Sequence, residues 1–181
     1  MPRIAPLEPP YQPGLQKAFD AIMKGARPLI LFRTVAKSER AWRKFTAGSL
    51  LDRGPLSLRA REIVIDRTTA LNGCEYEWGV HVTTFAAAAH LTEAEIIATT
   101  AKDPACPSWT PAERALIAAV DALQARSTLS DAEFGDLRAH YDEAQVLEII
   151  QLCGFYWMVS YMANALALPL EAKGARFPTA A

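Results

Sequence analysis

From Gly14 to Ile22 the apolar residues Leu15, Ala18, Phe19 and Ile22 recur at steps of three and four, the spacing that gathers side chains on one helix face. The pattern predicts a first helix ending near Gly25 and Pro28. A second apolar run, Leu29 to Val35, leads to Ser38, which is placed to cap a helix through Trp42 and Phe45 up to Gly48. Two further helical patterns, Leu56–Leu71 and Cys74–Ala89, are separated only by Asn72-Gly73, so they are expected to form a central antiparallel pair. Thr92-x-x-Glu95, Thr110-Pro111-x-Glu113 and Ser130-x-x-Glu133 then spell capping boxes, each announcing a new helix. The last pattern runs from about Glu143 to Leu166 and stops at Pro169. Its apolar core, Leu152 to Ala163, is shorter than the ~20 residues a membrane span needs, and Gln151, Ser160 and Asn164 interrupt it. A buried helix is expected there, and no membrane partner. No segment sustains period-two alternation, so the fold class is all-α.

The 181 residues suit one domain, predicted over 13–170, with an extended N-terminal arm over 1–12 and a tail over 171–181. The arm rests on Pro2, Pro6, Pro9 and Pro10. A net charge of -1 with both signs interspersed gives no reason to expect a nucleic-acid partner. A hydrophobic content of 51%, together with Phe155, Tyr156, Trp157 and Tyr161 on one helix, exceeds what a single core readily covers, so a homo-oligomer is expected. Cys74, Cys106 and Cys153 are widely spaced and no secretory signal precedes them, which suits a reducing, cytoplasmic location without disulfides. Cys106, between Pro104 and Pro107, and Cys153, in an aromatic run, lack an acid–base partner at helical spacing and read as structural.

The chemically dense stretch is EIVIDRTTALNGCEYEWGVH, Glu62 to His81. Beyond Gly73, helical steps of three and four place Cys74, Glu77 and His81 on one stripe that continues through Trp78, Phe85 and Ala88 and so faces apolar packing. Asn72-Gly73 suits a left-handed helix end, which leaves Cys74 at the start of the next helix. There the helix N-terminus favours a thiolate while Glu75 and Glu77 oppose it, making Cys74 a weak thiolate. Glu77 and His81 are expected to share one proton near neutral pH. Two plainer readings stand beside this one. Glu62 could be an ordinary surface ion pair with neighbours such as Arg59 at helical spacing, with Asp66 flanking it, and His81 a core histidine satisfied by Glu77. His90 and His140 lie far from the cluster in sequence, and neither a metal nor any cofactor is expected.

The run REIVIDRTTALNGCEYEWGVHVTTFAAAAHLTEAEI resembles the carboxymuconolactone decarboxylase family, which includes the AhpD-type alkylhydroperoxidases. The AhpD branch carries a relay Glu on one helix and Cys-x-x-Cys-x-x-x-His opening the next. The resemblance places that Glu on Glu62, the first Cys on Cys74 and the His on His81, but Glu77 stands where the second Cys would be. Glu77-x-x-x-His81 is instead similar to the Glu-x-x-x-His of the decarboxylases proper. What the resemblance implies is an AhpD-like helical fold, assembly as trimers or hexamers, and an acid–base enzyme in which Glu62, Glu77 and His81 act on a small carboxylated or carbonyl substrate. Trp78 would touch that substrate and Cys74 would sit at the edge of the pocket. A peroxidase or thiol antioxidant using Cys74 is the alternative, and a non-catalytic helical oligomer with a vestigial site is the third.

Overall fold

The computed structural model describes residues 1–179, and the tail beyond Thr179 lies outside the described residues. Those described form helices and connections with no strand: α1 (Pro13–Met23), α2 (Ile30–Val35), α3 (Glu39–Ala47), α4 (Leu58–Leu71), α5 (Glu75–Phe85), α6 (Glu93–Thr100), α7 (Pro111–Arg126), α8 (Asp131–Arg138) and α9 (Glu143–Ala165). The expected capping boxes at Thr92, Thr110 and Ser130 all close with both reciprocal bonds. A further one, Asp142 with Gln145, opens α9. Helix α5 ends at Phe85 rather than near Ala89, because the chain tightens after Ala86 and passes through a left-handed residue at His90.

Helix α4 is the centre, packed by α5, α6, α7 and α9, and every residue from Ala60 to Thr69 is buried. A helix enclosed on all sides must satisfy its polar side chains internally. Arg67 does so by a forked pair with Asp121, at 2.7 and 3.0 Å, and by donating to the C-terminal carbonyls of α6, Thr99 O and Ala101 O. Arg59 holds Glu95 at 2.7 Å and Glu113 at 2.5 Å, the two carboxylates that close the capping boxes of α6 and α7. Burial would raise the pKa of Glu95, but Arg59, Thr92 and Ser108 outweigh it and hold the carboxyl at about 2. Arg59→Met therefore strands two largely buried carboxylates. The expected loss is roughly 3 kcal/mol, the low end for breaking a buried pair because Arg59 itself is partly exposed. A urea midpoint equal to the parent's would show that the α6 and α7 caps stand without it.

Helix α9 buries Val146, Ile149, Leu152, Tyr156, Val159 and Ala163 against the centre and turns Leu147, Ile150 and Tyr161 outward. By length and composition alone it could cross a membrane, although half of its most apolar window is buried inside the protein. Its end is closed by the N-terminal arm, where the backbone N–H and guanidinium of Arg3 donate to Leu166 O and Ala165 O.

Residues 171–177 run along α5. Glu171 accepts from the Ile30 N–H and the Tyr76 hydroxyl. Ala175 N–H donates to Gly79 O and Thr83 Oγ1, and Phe177 N–H donates to Glu75. The tail lies so close that a Cβ at Gly79 would run into the Ala175 backbone, which accounts for glycine in mid-helix.

Candidate functional site

The turn between α4 and α5 sets the site. Gly73 takes the left-handed conformation, φ 59°, and Cys74 N–H then donates to Thr69 O at 2.9 Å. Asn72 anchors the turn, accepting from Gln124 through its side chain and from Asn164 through its carbonyl. The two helices return side by side, and α4 presents Glu62 to the His81 of α5.

Glu62 is wholly buried and its carboxylate is held from both ends. Oε2 accepts from His81 Nδ1 at 2.7 Å, and Oε1 accepts from Arg61 at 2.9 Å. His81 Nε2 points to Glu77 Oε1 at 3.5 Å, a longer contact that is an ion pair more than a hydrogen bond. The principal partner of His81 is thus Glu62, with Glu77 second, the reverse of the order expected from helical spacing. A surface ion pair for Glu62 is excluded, since Arg59 is committed to Glu95 and Glu113. Burial by itself would lower the pKa of His81, but the carboxylates of Glu62 and Glu77 prevail and raise it to about 10. The imidazole is therefore a cation at neutral pH, with Nδ1–H donating to Glu62 and Nε2–H directed toward Glu77.

Three aromatic and cationic groups enclose the ring. Tyr156 of α9 meets His81 edge-on at 5.0 Å between centroids, Phe85 lies at 5.3 Å, and the Arg61 guanidinium sits over Phe85. Arg61 and Tyr156 were not singled out for the site from sequence. Arg61 was legible as the neighbour of Glu62, whereas Tyr156 lies 75 residues beyond His81 and only packing brings it in.

Cys74 occupies the N-cap position of α5 and is fully buried. Burial pushes its thiol pKa up, and the Glu77 charge adds to this. Backbone N–H groups of Glu77 and Tyr76, with Ser160, pull the other way without prevailing. Trp78 is buried too, donating to Thr99 Oγ1 at 3.0 Å with the Phe177 ring packed at 5.1 Å. Cys106 and Cys153 lie outside this cluster. Cys106 lines an open cavity of about 610 Å³ formed by the 103–109 loop and α7, and Cys153 lines a cavity of about 180 Å³ between α7 and α9. Burial pushes the Cys153 thiol up to about 11.

Residues 36–122 match the Carboxymuconolactone decarboxylase family. That segment, just under half of the chain, is similar to the family. It runs from the end of α2 to α7 and contains Glu62, Cys74, Glu77 and His81, while Tyr156 and the tail are contributed from outside it. No curated protein matches the chain. Among solved structures the fold is similar to an uncharacterized peroxidase-related protein from Silicibacter sp. TM1040, 19% identical, covering 96% of this chain and 94% of that one with a TM-score of 0.82. It is also similar to an alkylhydroperoxidase AhpD core protein from Ralstonia eutropha JMP134, 19% identical, covering 94% of each chain with a TM-score of 0.80. The debrominase Bmp8, in a cysteine-to-alanine form bound to 2,3,4-tribromopyrrole, is 18% identical and covers 94% of this chain and 92% of its own, with a TM-score of 0.78. The shared feature is the AhpD-like helical fold.

Proposed function

We propose that the chain is an acid–base enzyme of the carboxymuconolactone decarboxylase type, with a protonated His81 as the acid that completes the reaction. The observation that carries this reading is the buried Glu62–His81–Glu77 cluster, in which a 2.7 Å bond to Glu62 keeps the imidazole charged. The suited substrate is a small molecule whose carboxylate is conjugated with a carbonyl or lactone. When its C–C bond breaks, carbon dioxide leaves and the bonding electrons pass into the carbonyl as an enolate. His81 Nε2–H then delivers a proton to carbon, and the ring becomes neutral. Glu62 steadies the cation before transfer and Arg61 fixes Glu62 in place. The neighbour that holds 2,3,4-tribromopyrrole supports a flat, single-ring occupant for this fold.

The peroxidase alternative has weaker support. A peroxide-attacking thiol needs thiolate character and access, and Cys74 is buried with its pKa raised and has Glu77 where a partner thiol would stand. The test is carbon dioxide release from a carboxylated muconolactone, measured beside peroxide consumption, in the parent and Cys74→Ser. Decarboxylation that survives in Cys74→Ser is the expected result. Peroxide turnover in the parent that disappears with Cys74, and no carbon dioxide from either protein, would hand the site to the thiol.

A further inference from the structure

Most polar side chains of the enclosed helix α4 are engaged, Arg59 and Arg67 on the α6 and α7 side, and Arg61 and Glu62 toward the site. Two are left without a hydrogen-bond partner, Asp66 and Thr68. Asp66 is wholly buried where the charges of His81 and Glu62 act on it, and so belongs to the site already described. Thr68 lies elsewhere. Two residues along a helix turn the side chain by about 200°, so Thr68 faces away from Asp66. There it lines the cavity of about 180 Å³ between α7 and α9. A buried hydroxyl without a partner is costly, and a cavity beside one invites a molecule that supplies it.

The cavity is graded in depth. Thr68 and Val120 at its inner end are buried, Leu123 and Trp157 are half-buried, and Ile150 and Gly154 at the mouth are exposed. None of the described residues that line it is charged. The Cys153 thiol adds no charge, since burial holds its pKa at about 11, and it stands beside Thr68 as a partner too weak to satisfy the hydroxyl. The Gln124 amide is committed elsewhere, donating to Asn72 Oδ1 at 2.8 Å. Gly154 keeps the mouth open, because a Cβ there would meet nothing within 4 Å.

We propose that this cavity binds a small neutral molecule made of one ring with a single hydroxyl or carbonyl group, seated with that group on Thr68. Size, polarity and charge each support this occupant. An apolar cavity of about 150 Å³ holds a benzene ring, and the space here is slightly larger. Val120, Leu123 and Ile150 give the ring apolar walls, and the Trp157 indole offers an aromatic one. The Thr68 hydroxyl both donates and accepts, so it can serve either polar group. A charged ligand would lose its hydration with no counter-charge to replace it. Water is a poor filler, since a buried water needs two to four polar partners and the inner end provides one hydroxyl and a thiol. The site stands on the far side of α4 from the Glu62–His81 cluster and does not depend on the acid–base reading.

The test titrates the full chain with phenol, benzene or benzoate up to millimolar concentration, following the backbone amide NMR signal of Ser127, which lines the same cavity. Two variants accompany the parent. Thr68→Val keeps the shape and removes the hydroxyl, and Gly154→Leu fills the mouth from an exposed helix position where leucine is the better helix former. Phenol is expected to saturate the shift in the parent and to bind Thr68→Val roughly fivefold more weakly, the effect of one lost hydrogen bond. Benzene should bind Thr68→Val at least as tightly as the parent, Gly154→Leu should bind neither, and benzoate should bind none of the three proteins. Equal phenol affinity in the parent and Thr68→Val, or benzoate binding as tightly as phenol, overturns the proposal. A parent that takes up no phenol overturns it as well. Light scattering then names the filler, which is water if the chain is monomeric and a second copy covering the mouth if it forms an oligomer that Gly154→Leu disrupts. Should Thr68→Val not fold, the loss of phenol in Gly154→Leu and the exclusion of benzoate still decide it.

Discussion

A His81→Gln variant is expected to release carbon dioxide from a carboxylated muconolactone between about a hundredfold and ten-thousandfold more slowly than the parent, the range that a positioned general acid supplies. Glutamine can still donate a hydrogen bond to Glu62, so the ligand of that carboxylate is kept while the transferable proton is lost. The pH profile supplies an independent check. His81 acts in its protonated form and its pKa is raised to about 10, so the parent's acid-dependent rate is level through neutral pH and falls as pH rises through about 10. An activity that instead rises through the ordinary histidine range, near about 6.5, would mean that the ring works as a base. A His81→Gln rate within a few fold of the parent would return this residue to the role of a core histidine.

Most of the fold could be read locally, because it is built from local signals. Ser38, Thr92, Thr110 and Ser130 each announced a helix that forms where expected, since a cap bonds its own next turn and needs nothing from elsewhere in the chain. The site was legible only in part. Helical spacing correctly gathers Cys74, Glu77 and His81 on the buried face of α5, but spacing within one helix favours Glu77 as the partner of His81. The shorter bond comes from Glu62 across the hairpin, and that contact depends on how α4 and α5 lean together. Asp66 shows the same limit from the other side. On a helix wheel it looks like a member of a solvated charged face with Arg59, yet α4 is covered on all sides, and the two residues end in unlike places. Whether a mid-helix charge is wet or dry is decided by the other helices, and no local pattern reports it. The tail was likewise silent in sequence. Its one signal was Gly79, a glycine inside a helix, whose reason appears only when Ala175 is seen lying against it.

Glu62→Gln is the substitution with the largest expected effect on stability, and its size should depend on pH. The carboxylate of Glu62 holds two buried cations, Arg61 and His81, and a glutamine oxygen can accept from one of them without neutralising either. At the pH where His81 is charged in the parent, removing that counter-charge is expected to cost roughly 3–5 kcal/mol. In the parent the folded-state pKa of His81, about 10, lies above the value of about 6.5 in the unfolded chain. A raised pKa contributes stability that is fully present below about pH 6.5 and is lost as pH rises through about 10, because over that window the native state binds a proton that the unfolded chain has released. In Glu62→Gln burial works against the charged ring with only Glu77 left to oppose it, so the pKa falls and this stabilisation goes with it. Urea midpoints taken from pH 6 to pH 10 should therefore show the parent declining and the variant much flatter, with the gap between them narrowing toward the alkaline end. Two curves that stay parallel over the whole range would mean that the Glu62–His81 bond does not carry the charge assigned to it.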